Sequence, residues 1–144
     1  MIRAAITDDL PNLLRMSESF FNASGYEDIT TFDNSDSKEL LIKLIDLGTI
    51  ITDGKSAMLG FVIFPMFMNK STIMSQELFW WVDEDARGTS TGIKLLKMAE
   101  QISKDSGATV MNMLSLEDLD GEKVNKMYSK LGYKRKEQSY MRVL

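Results

Sequence analysis

Val82-Asp83-Glu84-Asp85-Ala86-Arg87-Gly88-Thr89-Ser90-Thr91-Gly92 joins an aromatic-rich β-prone stretch to an amphipathic helical one. Gly88 and Gly92 allow positive φ or close backbone approach, so successive N–H groups between them can point at one anion. The helix that follows adds its own unsatisfied N–H donors and the positive end of its dipole. This is a candidate phosphate cradle, and a plain strand-to-helix connection is its competing reading. Two familiar cradles are absent: the chain has no G-x-x-x-x-G-K-[ST], and no G-x-G-x-x-G heads its first βαβ unit.

Upstream, Ser71 to Val82 is a long β-prone run with bulky residues at both parities: Leu78, Trp80 and Val82 on one, Phe79 and Trp81 on the other. Such a strand needs both faces covered. Before it, Thr49 to Thr52 and Ala57 to Phe64 read as strands of a meander, joined by an Asp53-Gly54 turn, with Pro65 weakening the far end. A first strand, Ile2 to Ile6, leads to a helix capped by Thr7 that carries Leu10, Leu13, Leu14, Phe20 and Phe21 and breaks at Ser24-Gly25. An acidic connector, Tyr26 to Asp36, precedes a second helix capped by Asp36 or Ser37 and ended by Gly48.

Downstream, Ile93, Leu96, Ala99 and Ile102 predict a helix over Gly92 to Ser106, stopped by Gly107. A strand (Ala108 to Leu116), an acidic loop (Glu117 to Asp120), a short helix (Glu122 to Leu131) closed by Gly132, and a last strand (Tyr133 to Val143) complete the chain. The expectation is one α/β domain over residues 1–144, its mixed, mostly antiparallel central sheet of about six or seven strands flanked by about four helices.

The 144 residues contain no cysteine and no histidine, which excludes disulfides, Cys/His zinc sites, thiol nucleophiles and Ser-His-Asp relays. Proton transfer must then use carboxylates, Lys, Tyr or water, and no metal is expected. A net charge of -4 has the wrong sign for a chain living on nucleic acid. With no 18-residue apolar run and no leader-like N-terminus, the expectation is a soluble, cytoplasmic protein without a membrane partner. The eleven methionines read as core fillers before they read as a binding groove.

Arg87-Gly88-Thr89-Ser90-Thr91-Gly92 resembles the Q/R-x-x-G-x-G/A acyl-CoA diphosphate motif of the GNAT-type N-acetyltransferase superfamily, with Ser90 at the middle glycine. Met127-Tyr128-Ser129-Lys130-Leu131-Gly132-Tyr133 is similar to the superfamily's late L-Y-x-K-x-G-F signature, in the right order along the chain. Gly121 and Val124 depart from the Asn and Ala often found before the late Tyr; Asn125, one turn ahead of Tyr128, could take over a cofactor contact from this helix, against the competing reading of an exposed helical Asn.

The resemblance implies transfer of an acetyl group from acetyl-CoA to a primary amine by direct attack in a ternary complex. Arg87, Gly88, Thr89, Ser90, Thr91 and Gly92 would seat the diphosphate. The pantetheine arm would run along Trp80, Trp81 and Val82, where a main-chain N–H would polarise the thioester carbonyl. Tyr128 takes the place of a general acid for the leaving thiolate, against the alternative of a ring packed at a helix end. An amine of pKa about 10.4 is neutral only about once in 2,500 molecules at pH 7, a handicap of about 4.6 kcal/mol, so some group must remove its proton. Glu77 is the candidate base, its pKa raised by burial beside Phe79 and Trp81; a solvated or Lys-paired carboxylate is the equal alternative.

Tyr26, Glu27 and Phe32 lie in the connector where the superfamily varies its acceptor site, and its acidity suits a cationic small-molecule or peptide amine, against the competing reading of a merely solvated acidic loop. Lys94, Lys97 and Lys130 could meet the nucleotide's 3′-phosphate, or simply be solvated. The last strand could support a homodimer. Two rival functions stay open: a catalytically inactive acyl-CoA-binding GNAT-like regulatory or interaction module, and an interaction protein with no nucleotide site.

Overall fold

The computed structural model describes residues 1–144. One sheet runs through the molecule in the order β1 (Arg3–Ala4), β2 (Ile50–Thr52), β3 (Ala57–Met66), β4 (Asn69–Val82) and β5 (Val110–Asn112). All neighbours are antiparallel except β4 and β5, which are parallel. The helices are α1 (Leu10–Ala23), α2 (Asn34–Leu47), α3 (Thr91–Asp105) and α4 (Gly121–Lys130).

Alternation along the strands divides the apolar residues between the two faces. Ile50, Met58, Phe79 and Trp81 join Leu13, Met16, Leu41 and Leu44 of α1 and α2. Ile51, Ala57, Leu59 and Phe61 join Leu95, Leu96 and Ala99 of α3 and Tyr128 of α4. The two-sided burial expected of the aromatic strand is met.

Several boundaries differ from the sequence reading. Asp9, not Thr7, fastens the start of α1: its carboxylate accepts from the Ile6 amide at 2.8 Å and from Arg3 at 2.7 and 3.0 Å. The Arg3 guanidinium is what holds the Asp9 pKa below the usual range. Asp33 caps α2, accepting from the Asp36 amide at 2.8 Å, so the helix starts two or three residues before the expected cap.

The sheet has five strands, not six or seven. Tyr133 to Val143 is not a strand; beyond the Tyr133 amide, which donates to the Tyr128 carbonyl at 2.9 Å, the tail makes no main-chain hydrogen bond. Lys134 to Gln138 is polar at both parities, so no face of it gains from burial, and the apolar residues further on, Tyr140, Met141 and Val143, are exposed.

The strand expected over Ala108 to Leu116 shrinks to Val110–Asn112 because β4 turns away from it. Gly60 faces Phe79 while Phe61 faces Glu77, leaving Leu78 as an extra residue on β4. Such a bulge bends and twists its strand. The parallel pairing stops at Gln76 opposite Asn112, and β4 continues alone to Val82. Gly60 is required at the bend, where a Cβ would overlap the ring of Phe79.

Candidate active site

The fork between β4 and β5 opens onto the loop that leads into α3. In that loop Gly88 has φ +81°, a conformation that a side chain rarely tolerates. The Ala86 and Arg87 amides are used in the turn, donating to Asp83 and Glu84 carbonyls at 2.9 and 3.3 Å. Thr91 N–H makes only a long 3.4 Å bond to Thr89 Oγ1. The N–H groups of Gly88, Thr89, Ser90, Gly92 and Ile93 have no acceptor within the protein. Donors at a helix start with nothing to bond are what an anion site requires.

A Cβ added at Gly92 would lie 3.5 Å from the indole of Trp80 and 3.7 Å from Val82 Cγ2, so the head of α3 is seated against the end of β4. Trp80 and Val82 therefore face α3. Trp81 points the other way, 8% exposed among Phe79, Leu13 and Met16, and its pairing with Met58 turns its main-chain groups toward β3. Trp80 Nε1 and the Tyr133 hydroxyl are buried without partners, and burial pushes the Tyr133 hydroxyl up to about 12. Lys94 and Lys97 line a shallow depression of about 590 Å³ with Thr91 at the helix start; Lys130 is not among its walls.

Glu77 is 5% exposed, but not beside Phe79 and Trp81 as strict alternation suggests. The bulge at Leu78 reverses the parity and sends the carboxylate to the opposite face, where Oε1 accepts from the Leu114 amide at 3.1 Å. The Tyr128 hydroxyl donates to the Leu114 carbonyl at 2.6 Å and lies 3.4 Å from the same Oε1. Burial raises the Glu77 pKa to about 7, with the Leu114 amide and Tyr128 pulling the other way. Burial, and then the Glu77 charge, push Tyr128 well above the ordinary phenol value. The result is a carboxyl that changes charge near neutrality beside a phenol that stays protonated.

Tyr128 also lies 5.5 Å from the Tyr133 ring and 6.2 Å from the Trp80 ring, centre to centre. Asn125, one turn earlier on α4, is half-buried and makes no side-chain hydrogen bond within the protein. The connector residues are elsewhere: Tyr26 packs on Phe20 at 6.3 Å, Phe32 on Phe21 at 5.7 Å, and Glu27 is exposed. Asp118, which the sequence did not single out, lies directly over Gly25, bringing the acidic loop after β5 against this connector. Leu114 was also missed, because it acts through its main chain, which no residue type signals.

The Acetyltransferase (GNAT) family model matches residues 10–133, a span holding the loop, Glu77 and Tyr128. The chain belongs to the GNAT acetyltransferase family. No curated protein matches this GNAT chain. Its fold is shared with a predicted acetyltransferase from Clostridium acetobutylicum, solved with acetyl-CoA (TM-score 0.72, 14% identity, 98% of this chain and 94% of that one). It is shared also with an aminoglycoside acetyltransferase from an uncultured soil metagenomic sample (TM-score 0.71, 14% identity, 100% and 97%). A third, a ribosomal-protein-alanine N-acetyltransferase from Brucella melitensis biovar Abortus, has a TM-score of 0.71 at 14% identity, covering 100% and 99%. No helix of this GNAT protein is long and apolar enough to cross a membrane.

Proposed function

We propose that the protein is an acetyl-CoA-dependent N-acetyltransferase acting on a primary amine. The observation that carries this reading is the set of unpaired amides of Gly88, Thr89, Ser90, Gly92 and Ile93, at the head of α3 and beside the open fork of β4 and β5. A diphosphate there meets several main-chain donors and the helix dipole together. The neighbour solved with acetyl-CoA and the family match support the same choice of co-substrate.

In this reading the pantetheine arm follows the unpaired edge of β4 past Trp80, Trp81 and Val82, with Asn125 on the facing helix. A main-chain N–H on that edge polarises the thioester carbonyl; losing such a donor costs about 3 to 4 kcal/mol in barrier height. Glu77 accepts the amine's proton, which its near-neutral pKa suits. The amine nitrogen attacks the carbonyl carbon, the C–S bond breaks, the departing thiolate takes the Tyr128 proton, Tyr128 regains one from Glu77, and the freed Glu77 carboxylate takes the second proton from the nitrogen and passes it to solvent. A phenol above pKa 10 is a weak donor to a thiol of pKa about 8.5, so the transfer gains from the proton held on Glu77 beside it.

The acceptor enters from the connector side, where Tyr26, Glu27, Phe32 and Asp118 present aromatic and acidic groups suited to a cationic amine. Neighbours named for aminoglycoside and ribosomal-protein-alanine acetylation make both small-molecule and peptide amines reasonable first probes. Calorimetry with acetyl-CoA followed by free-thiol release against polyamines, aminoglycosides and peptides tests the reading. Binding with amine-dependent thiol release is expected. Binding without product from any amine would favour the inactive acyl-CoA-binding module, and no binding would end both.

A further inference from the structure

Arg87 is exposed, yet its side chain is held. Its Nε donates to the Val82 carbonyl at 2.9 Å, and its guanidinium carbon stands 4.8 Å from the centre of the Trp81 ring. A planar cation over an indole is attracted by the negative face of the ring, and Trp gives the strongest such attraction. Trp81 is itself fixed. Its Nε1 donates to Asp83 Oδ1 at 2.7 Å, and the Asp83 carboxylate takes both Nη groups of Arg15 at 2.7 and 3.2 Å. Although burial works to raise the Asp83 pKa, these bonds from Arg15 and Trp81 hold it below the usual range, so the anchor stays ionised. The tie runs from α1 through Asp83 and Trp81 to Arg87. Both Nη groups of Arg87 have no acceptor in the protein, leaving their donors free.

We propose that Trp81 is a positioning residue for the anion seat: its ring, with the Val82 carbonyl, holds the Arg87 guanidinium so that the Nη donors meet the CoA diphosphate alongside the loop amides. This rests on the acyl-CoA reading above. The arrangement gives a reason for Trp at a position whose side chain is turned away from the fork. It also orders a long flexible side chain before the ligand arrives, which lowers the entropy lost on binding.

The test is a double-mutant cycle on CoA affinity, measured by calorimetry for the parent, Trp81→Leu, Arg87→Ala and the double variant. Trp81→Leu is expected to weaken CoA binding about 2- to 5-fold with Arg87 present, and to change nothing when Arg87 is already Ala. An equal loss in both backgrounds would mean that Trp81 acts through the core alone, and no loss in either would mean that the ring does nothing for binding; each overturns the proposal. Because Trp81 is buried, Trp81→Phe run through the same cycle serves if the Leu variant fails to fold, with a smaller loss expected and the same dependence on Arg87. A parent protein that does not bind CoA at all would remove the acyl-CoA reading itself, a result distinct from either failure of the cycle.

Discussion

Tyr128 and Glu77, 51 positions apart in the chain, place their oxygens 3.4 Å from each other, with the Leu114 main chain bonded to both. If the two share the proton traffic of acetyl transfer, their losses overlap. Tyr128→Phe is expected to lower turnover about 100-fold or more while leaving acetyl-CoA affinity nearly unchanged. The Tyr128→Phe, Glu77→Gln pair should cost clearly less than the product of the single losses. Unaltered turnover in Tyr128→Phe would take that residue out of the chemistry.

Glu77 should also mark the pH dependence. As the base, it gives kcat/KM an ascending limb near pH 7, which Glu77→Gln removes. An unchanged profile would reassign the base.

Stability carries a signature of the same group, with a sign opposite to that of the ion-paired carboxylates. The native Glu77 carboxyl keeps its proton up to about pH 7, whereas the unfolded chain releases it near 4.5. Stability therefore falls as pH rises between those values, by about 3 kcal/mol, and levels off above. Asp9 and Asp83 have native pKa values below 3.8, so their contribution is lost only as pH falls through the acid range. Denaturant midpoints across pH 4 to 8 should show the decline in the parent and its absence in Glu77→Gln.

Gly60→Ala places a methyl group into the Phe79 ring at the bulge. Phe79 is 8% exposed and held by Phe20, 6.5 Å away ring to ring, so it has little room to yield. Overpacking of this kind costs about 1 to 3 kcal/mol. Thermal denaturation checks it, and a Tm equal to the parent's would show that the ring moves freely.

Asp118→Asn removes one negative charge from the side facing Gly25 and the connector, without touching the Arg87 to Gly92 loop. A higher KM for cationic amines with an unchanged KM for acetyl-CoA is expected. A uniform change in both, or none in either, would place the acceptor elsewhere.

The three long helices were legible because each repeats apolar residues at helical spacing over three or four turns and ends at a small residue, whereas α4 carries only Val124, Met127 and Tyr128 and was legible mainly from the Gly132 that follows it. The sheet's open end was not. Tyr133 to Val143 looks β-prone residue by residue, but Lys134 to Gln138 offer no face worth burying, and only the fold shows that nothing pairs with them. Glu77 was found by position on the right strand and assigned to the wrong face, since the extra residue at Leu78 exists only relative to β3. Tyr128 came from a short motif, while its bond to Leu114 joins groups 14 residues apart through a main-chain atom. The Arg87 stack on Trp81 needs the turn geometry of the five residues between them.

The seam between β4 and β5 is three residue pairs long, Met74 with Val110, Ser75 with Met111 and Gln76 with Asn112. So short a ladder opens at small free-energy cost, whereas β3 and β4 are zipped along almost their whole length. In a hydrogen-exchange experiment the β5 amides should lose their protection well before those of β3. The Leu114 tie from the end of β5 to Tyr128 on α4 would loosen with them, so the edge proposed to admit a long thin co-substrate would also set how often Tyr128, the proposed proton donor, is in place.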